Sequence, residues 1–351
     1  MKIILDAMGG DSAPEAPVMG AIDAVKAYGA QIVLVGRGEE ILSVLKKNGI
    51  ENLPHGMEIC HADDVVDMHD DPDQVIRRRK NSSMVVGLRM LAEGKGDAFV
   101  SAGSTGALLT GATLIVKRVR GIRRAAMAPS MPTKAGHKVT ICDCGANAEC
   151  TPEFLLQFGL VGSAYAKYTL GVENPRVGLL NIGTEDSKGT ALQKAAYALL
   201  TDAGEKGLIN FVGNVEARSV PLGEVDVVVC DGFSGNVLLK SIEGTAYFMG
   251  SLMKHKIFKR KSKLFGYNPL SIIGYLFCRQ GVKEVTSMMD YREIGGTQFL
   301  GIKKTVIKAH GSSDALAFRN AVKQAVDAVN ADFSAELETA LKQLTEENAD
   351  D

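Results

Sequence analysis

The stretch KIILDAMGGDSAPEAPVMGAIDAVKAYGAQIVLVG, residues 2–36, decides the fold class. A short apolar run of β type, residues 2–6, leads through a Gly-rich turn into residues 16–29, where apolar side chains recur at helical spacing. A second β-type run, residues 31–36, follows at once. Strand, helix and strand over this length form a βαβ unit, and a helical crossover makes the two strands parallel. The alternation continues outward from there. Further β-type runs stand at 56–62, 97–103, 138–147, 176–183, 209–214, 225–232 and 305–308. Helical runs stand between them at 39–49, 84–94, 105–121 and 151–171, and a last one begins at Ala315. This predicts an α/β fold, a three-layer α/β/α sandwich whose mostly parallel sheet is covered on both faces. No Pro/Ser-rich linker, repeat or low-complexity tract interrupts it. One domain is expected over residues 1–335, with a basic and apolar helical protrusion at about 244–285 and an acidic tail at 336–351, read as a helix with a frayed end.

Composition narrows the function. Hydrophobic residues make up 46% of the chain and charged residues 23%, the balance of an ordinary globular protein. A net charge of −1 argues against a general nucleic-acid binder. No apolar run reaches the roughly eighteen residues of a spanning helix, and the Met-Lys start leads straight into a strand. Neither a membrane span nor a secretory signal is expected, and the cytoplasm is the expected compartment. The six cysteines, Cys60, Cys142, Cys144, Cys150, Cys230 and Cys278, include no CxxC pair and no zinc spacing. They read as free thiols, with Cys142 and Cys144 on one face of a strand. The acidic run His61, Asp63, Asp64, Asp67, His69 and Asp70 matches no ligand set and reads as a solvated loop. No metal is expected. GxGxxG and GxxxxGK[ST] are absent, and GFSGN has the wrong spacing for a nucleophile elbow, which disfavours nucleotide binding and a covalent serine enzyme.

In a parallel sheet, ligands bind beyond the carboxyl ends of the strands. Here those loops read DAMGGDSAPE, SAGSTGALL, CDCGANAE, NIGTEDSKGT, VGNVEA, CDGFSGNV and KAHGSSD. Glycine allows close backbone approach, hydroxyls and helix N-termini donate hydrogen bonds, and the set suits an oxyanion or phosphate. In KAHGSSD, Lys308 and His310 stand beside a helix start capped by Ser312, Ser313 or Asp314. A second anion seat is expected where Arg77–Lys80 precede Ser82 and Ser83, a cap for the next helix.

Several stretches resemble the bacterial phosphate acyltransferase family of phospholipid synthesis. They are DAMGGD, RRKNSSM, SAGSTGALL, CGAN, PRVGLLNIGTEDSKG, FVGNVEAR, DVVVCDGFSGNVLLK and VIKAHGSSDALAF, in order over about residues 3–325. Ser104 departs from the expected Asn, Cys142 and Cys144 stand at usually apolar positions, and residues 254–283 are longer and more basic than the pattern. The resemblance implies a homodimer with an isopropylmalate-dehydrogenase-like fold. It implies transfer of a long-chain acyl group from acyl carrier protein to inorganic phosphate, the acyl phosphate then serving a glycerol-3-phosphate acyltransferase. It implies no metal or organic cofactor. A phosphotransacetylase-like transfer from short acyl-CoA would use the same loops. A metal- and NAD-dependent dehydrogenase and a non-enzymatic scaffold fit the residues less well.

Such a reaction must hold phosphate in line with a thioester and stabilise a tetrahedral oxyanion. Arg79, Lys80, Ser82, Ser101, Gly103, Ser104, Thr105, Asn147 and Lys308 are the expected substrate-binding residues. Lys188 and His310 are expected to stabilise the oxyanion or orient phosphate, with Asn214 nearby and Asp231 fixing one of them. Residues 244–283 contain no acidic residue, and Lys254–Lys263 lead into LFGYNPLSIIGYLFC. Basic residues beside Leu264, Phe265, Ile272, Ile273, Leu276 and Phe277 suit the surface of an anionic membrane. The same charges would also suit an acidic carrier protein.

Overall fold

The computed structural model describes residues 1–67, 69–253, 277, 280–281 and 291–346. The opening βαβ unit is β1 (Lys2–Asp6), α1 (Glu15–Tyr28) and β2 (Gln31–Gly36), and β1 and β2 pair in parallel as expected. α2 (Gly38–Lys47), β3 (Met57–His61), α3 (Pro72–Arg78), α4 (Ser83–Ala92), β4 (Ala98–Ser101) and α5 (Thr105–Gly111) follow. Next come β5 (Ala126–Ala128), β6 (Ser130–Pro132), β7 (Lys138–Cys142), α6 (Pro152–Tyr168) and β8 (Arg176–Asn181). Then come α7 (Ala191–Glu205), β9 (Asn210–Glu216), β10 (Val227–Val229) and α8 (Gly232–Met253). After the break stand α9 (Tyr291–Ile294), β11 (Gly296–Leu300), β12 (Thr305–Ala309), α10 (Ala315–Asn330) and α11 (Ser334–Glu346).

The strands form two sheets rather than one. A seven-stranded sheet runs β3-β2-β1-β4-β12-β11-β5, and a five-stranded sheet runs β6-β7-β10-β8-β9. Both are mostly parallel; β11 and β6 run against their neighbours. Each sheet is buried on both faces, which is why its central strands are continuous apolar runs. In the first, Ile3 and Leu5 pack under α1 and α10 with Phe318 and Val322. Ile4, Phe99 and Val306 face Val85 and Leu88 of α4 on the other side. In the second, Val177 and Val229 meet Phe158 of α6 and Leu200 of α7. Ile141 and Val228 meet Leu238 of α8. Each such side chain contributes roughly 1.5–3 kcal/mol by leaving water.

Two expectations need correction. Cys142 and Cys144 do not share a face, because β7 ends at Cys142 and the two thiols join different cores. The helix expected over 105–121 gives way to a π-turn at Ala112–Val116 and stops at Lys117, whose φ is 74°. The acidic segment from Ser334 is helical as expected, and Leu337 and Leu341 of α11 are buried against α6. Among the described residues no helix is long and apolar enough to cross a membrane.

Candidate active site

Three adjacent strands of the first sheet carry polar residues at one level. β1 ends at Asp6, β4 ends at Ser101, and Lys308 of β12 is the register partner of Ser101. Asp6 is 1% exposed. Its carboxylate accepts from the Ser101 hydroxyl at 2.6 Å and the Met8 amide at 3.1 Å. The Ser83 hydroxyl and the Gly9 amide donate to it as well. The Asp6 pKa is raised, because burial outweighs the pull of these donors. Every partner is a donor, so the ionised carboxylate is the form accommodated. Ser101 Oγ in turn accepts the Gly103 amide at 3.1 Å. A Cβ at Gly9 would lie 2.6 Å from Asp6 Oδ2 and 2.8 Å from the Gly103 nitrogen. Glycine there lets the two loops touch over the buried charge.

Lys308 sends its ammonium to the carbonyls of Ala102, at 3.4 Å, and Ala309. Desolvation pulls its pKa down to about 8, opposed by the charges of Asp11 and Asp6. On the loop that follows, His310 Nδ1 lies 2.8 Å from the Ser312 hydroxyl and 3.3 Å from the Ser312 amide, which ties the ring to the turn. Burial, then Lys240 and Lys308, lower the His310 pKa and keep the ring neutral at pH 7. Lys240 and Glu243 belong to α8 of the second half, so His310 stands where the halves meet. Asp314 caps α10 by accepting from the Ala317 amide at 2.9 Å. A cavity of about 670 Å³, lined by Pro14, Met19, Val44, Lys47 and Ala315 among others, opens beside this loop pair.

A second buried carboxylate joins the sheets. Asp143 Oδ1 accepts from the amides of Met127, at 2.8 Å on β5, and Cys144, at 2.7 Å. Asp143 Oδ2 accepts from the Asn147 amide at 2.6 Å and its Nδ2 at 3.1 Å. Burial pushes the Asp143 pKa up against these donors. The start of α8 rests on the same turn: a Cβ at Gly235 would lie 2.0 Å from the Asp143 carbonyl oxygen.

Of the sequence-predicted residues, Ser101, Gly103, Lys308 and His310 are brought together. Ser104 and Thr105 continue their loop into α5, Ser104 as N-cap with no side-chain capping bond. Ser82 and Lys80 lie close by along the chain, because Ser83 reaches Asp6; Lys80 is exposed. Ser82 is buried and spends its hydroxyl on the Val85 amide as the cap of α4. Arg79 pairs with Asp64 at 3.1 Å and Asp70 at 2.9 Å, tying down the acidic loop. Asn147 is likewise held by Asp143 and the Ala125 carbonyl. Asp231 turns its oxygens to the Ser234 amide and hydroxyl, at 2.8 and 2.7 Å. Asn214 lies within β9 rather than on a loop, donating to the Glu185 carbonyl at 2.8 Å while its buried Oδ1 has no partner. Lys188 is half-exposed, with Glu185 4.0 Å away, on the second sheet's β8–α7 loop. Asp6 and Asp143 were missed; the available signal was a lone Asp ending an apolar strand before a Gly-rich turn. Leu264, Phe265, Ile272, Ile273 and Leu276 lie outside the described residues, and Phe277 is 86% exposed.

The family model described as fatty acid synthesis protein matches residues 1–336. Phosphate acyltransferase of Alkaliphilus oremlandii is 47% identical over 326 residues, covering 93% of each chain. That of Desulfitobacterium hafniense is 43% identical over 346 residues, covering 98% of this chain and 99% of its own. A phosphotransacetylase structure from Streptococcus pyogenes superposes with a TM-score of 0.60 at 18% identity, covering 94% of each chain. A 4-hydroxythreonine-4-phosphate dehydrogenase from Klebsiella pneumoniae reaches 0.50 at 11% identity, over 94% of this chain and 98% of its own. These two structures speak for the fold, the dehydrogenase-like α/β architecture expected from the sequence. Full-length identity above 40% speaks for more: the chain belongs to the phosphate acyltransferase family.

Proposed function

We propose that the chain transfers a long-chain acyl group from acyl carrier protein to inorganic phosphate. The observation that carries this reading is the meeting, at the strand ends, of the Lys308 ammonium, the Ser101–Gly103 loop and a neutral His310. Phosphate is itself an adequate nucleophile, so the site needs to orient it rather than activate it covalently. A phosphate oxygen attacks the thioester carbonyl, the C–S bond breaks, and the phosphate proton passes to the departing thiolate. Acyl phosphate and free carrier protein result. Lys308 and the loop amides hold the dianion, and His310 is the side chain placed to stabilise the developing oxyanion. Lys188, on the second sheet's β8–α7 loop, is the further cation the reading assigns to the developing charge.

The test is to incubate the protein with palmitoyl-carrier protein and phosphate and to look for acyl phosphate by mass spectrometry. Turnover should fall about a hundredfold in His310→Ala, the typical worth of an oxyanion donor. Activity on short acyl-CoA alone would replace this reading with a phosphotransacetylase. A second copy of the chain is the partner that the apolar face of α8 supports. The lysine-rich and apolar sequence after Met253 supports contact with an anionic membrane, where the product's consumer, a glycerol-3-phosphate acyltransferase, would work.

A further inference from the structure

Asp6 stands outside every role assigned so far, although it is the most enclosed charge on the first sheet's ligand edge, at 1% exposed. A carboxylate withdrawn from water so completely needs compensation, and its four donors come from three different places in the chain. Met8 and Gly9 belong to the turn after β1, Ser83 opens α4, and Ser101 ends β4. Ser101 passes the constraint on by accepting the Gly103 amide, and the Gly9 and Gly103 backbones approach too closely for any side chain between them. Lys308 closes the circuit: its ammonium donates to the Ala102 carbonyl of that same loop, and Asp6 is one of two carboxylates whose charge favours its protonated form. Around Lys308 the charged groups are Asp6 from β1, Asp11 from the β1–α1 loop, and His310 on its own loop with Lys240 and Glu243 of α8 beyond it.

We propose that Asp6 is the positioning residue for phosphate, clasping the Gly9 and Gly103 loops together through Ser101 and holding Lys308 as an ammonium against them. The proposal rests on the reading that this edge binds phosphate. Asp6 touches no substrate itself. It acts through two groups, and each arm has its own signature.

Calorimetric titration with inorganic phosphate separates the arms without relying on turnover. In Asp6→Asn the charge is lost, so phosphate affinity should fall about tenfold or more at pH 7.5. Relative to wild type it should also fade at lower pH, because Lys308 loses its proton sooner. Gly9→Ala keeps the charge but forces the loops apart, so affinity should fall with no change in that pH dependence. Ser101→Ala should do the same, and it serves as the test if Asp6→Asn does not fold. A folded Asp6→Asn protein with wild-type phosphate affinity across pH would overturn the proposal, as would unaltered affinity in both Gly9→Ala and Ser101→Ala. A wild type that binds phosphate but yields no acyl phosphate would count against the reaction, and the variants would still decide the role of Asp6.

Discussion

At the scale of single residues, function and stability pull against each other at Lys308. Its pKa of about 8 in the folded chain lies below the ordinary 10.5. Below pH 8 the ammonium is protonated in both folded and unfolded states, and folding carries the full cost of desolvating it. Between 8 and 10.5 the folded state sheds the proton and the cost is relieved, so this group's contribution improves as pH rises. Lys308→Met should therefore unfold a few degrees higher than wild type at pH 7, with the gap closing by pH 10, while phosphate affinity is lost. Thermal unfolding at the two pH values checks it. The sequence made Lys308 and His310 legible because they end a strand in front of Gly-Ser-Ser-Asp. The ion pairs of Arg79 were not legible in the same way, because Asp64 and Asp70 lie outside the basic run that contains it. Nothing in DAMGGD or CDCGAN says whether an aspartate is buried, and Asp6 and Asp143 are defined by burial.

Among the elements, the joint between the sheets is the one whose failure should cost most. Asp143 satisfies buried amides from β5, its own turn and Asn147. Asp143→Ala leaves those donors without acceptors, at about 1–3 kcal/mol for each group stranded. The urea midpoint should drop by the equivalent of at least about 3 kcal/mol, whereas Asp143→Asn, which keeps one acceptor oxygen, should lose less. Long elements were legible because buried parallel strands are unbroken apolar runs and amphipathic helices keep their period. β5 and β6 escaped notice because each is three residues long and only Pro129 separates them. β11 escaped because Gly296 and Gln298 interrupt its apolar pattern. The π-turn before Lys117 is only faintly marked in sequence: ATLIV continues the apolar run, and its three β-branched residues are the one sign of weaker helix propensity.

For the whole molecule, the largest exposed apolar display among the described residues lies on α8. Tyr247 is 80% exposed, Phe248 61% and Met249 47%. Single exposed apolar residues are ordinary, but a run of them on one helix marks a contact surface. Phe248→Glu should convert a dimer into monomers in sedimentation velocity. A wild type already monomeric at micromolar concentration would remove the second copy from the picture. The order of the strands carries a different consequence, for how the chain is made. β12 lies between β4 and β11, inside the first sheet, yet Lys308 is 206 positions beyond Ala102. A ribosome thus releases β1 to β4 and then the whole second sheet while the edge of β4 waits without its neighbour. An unpaired edge of that kind invites pairing with other chains, so the nascent protein is most exposed to aggregation midway through translation. Messages truncated before codon 305 should yield chains that associate with chaperones rather than a half-sized soluble domain.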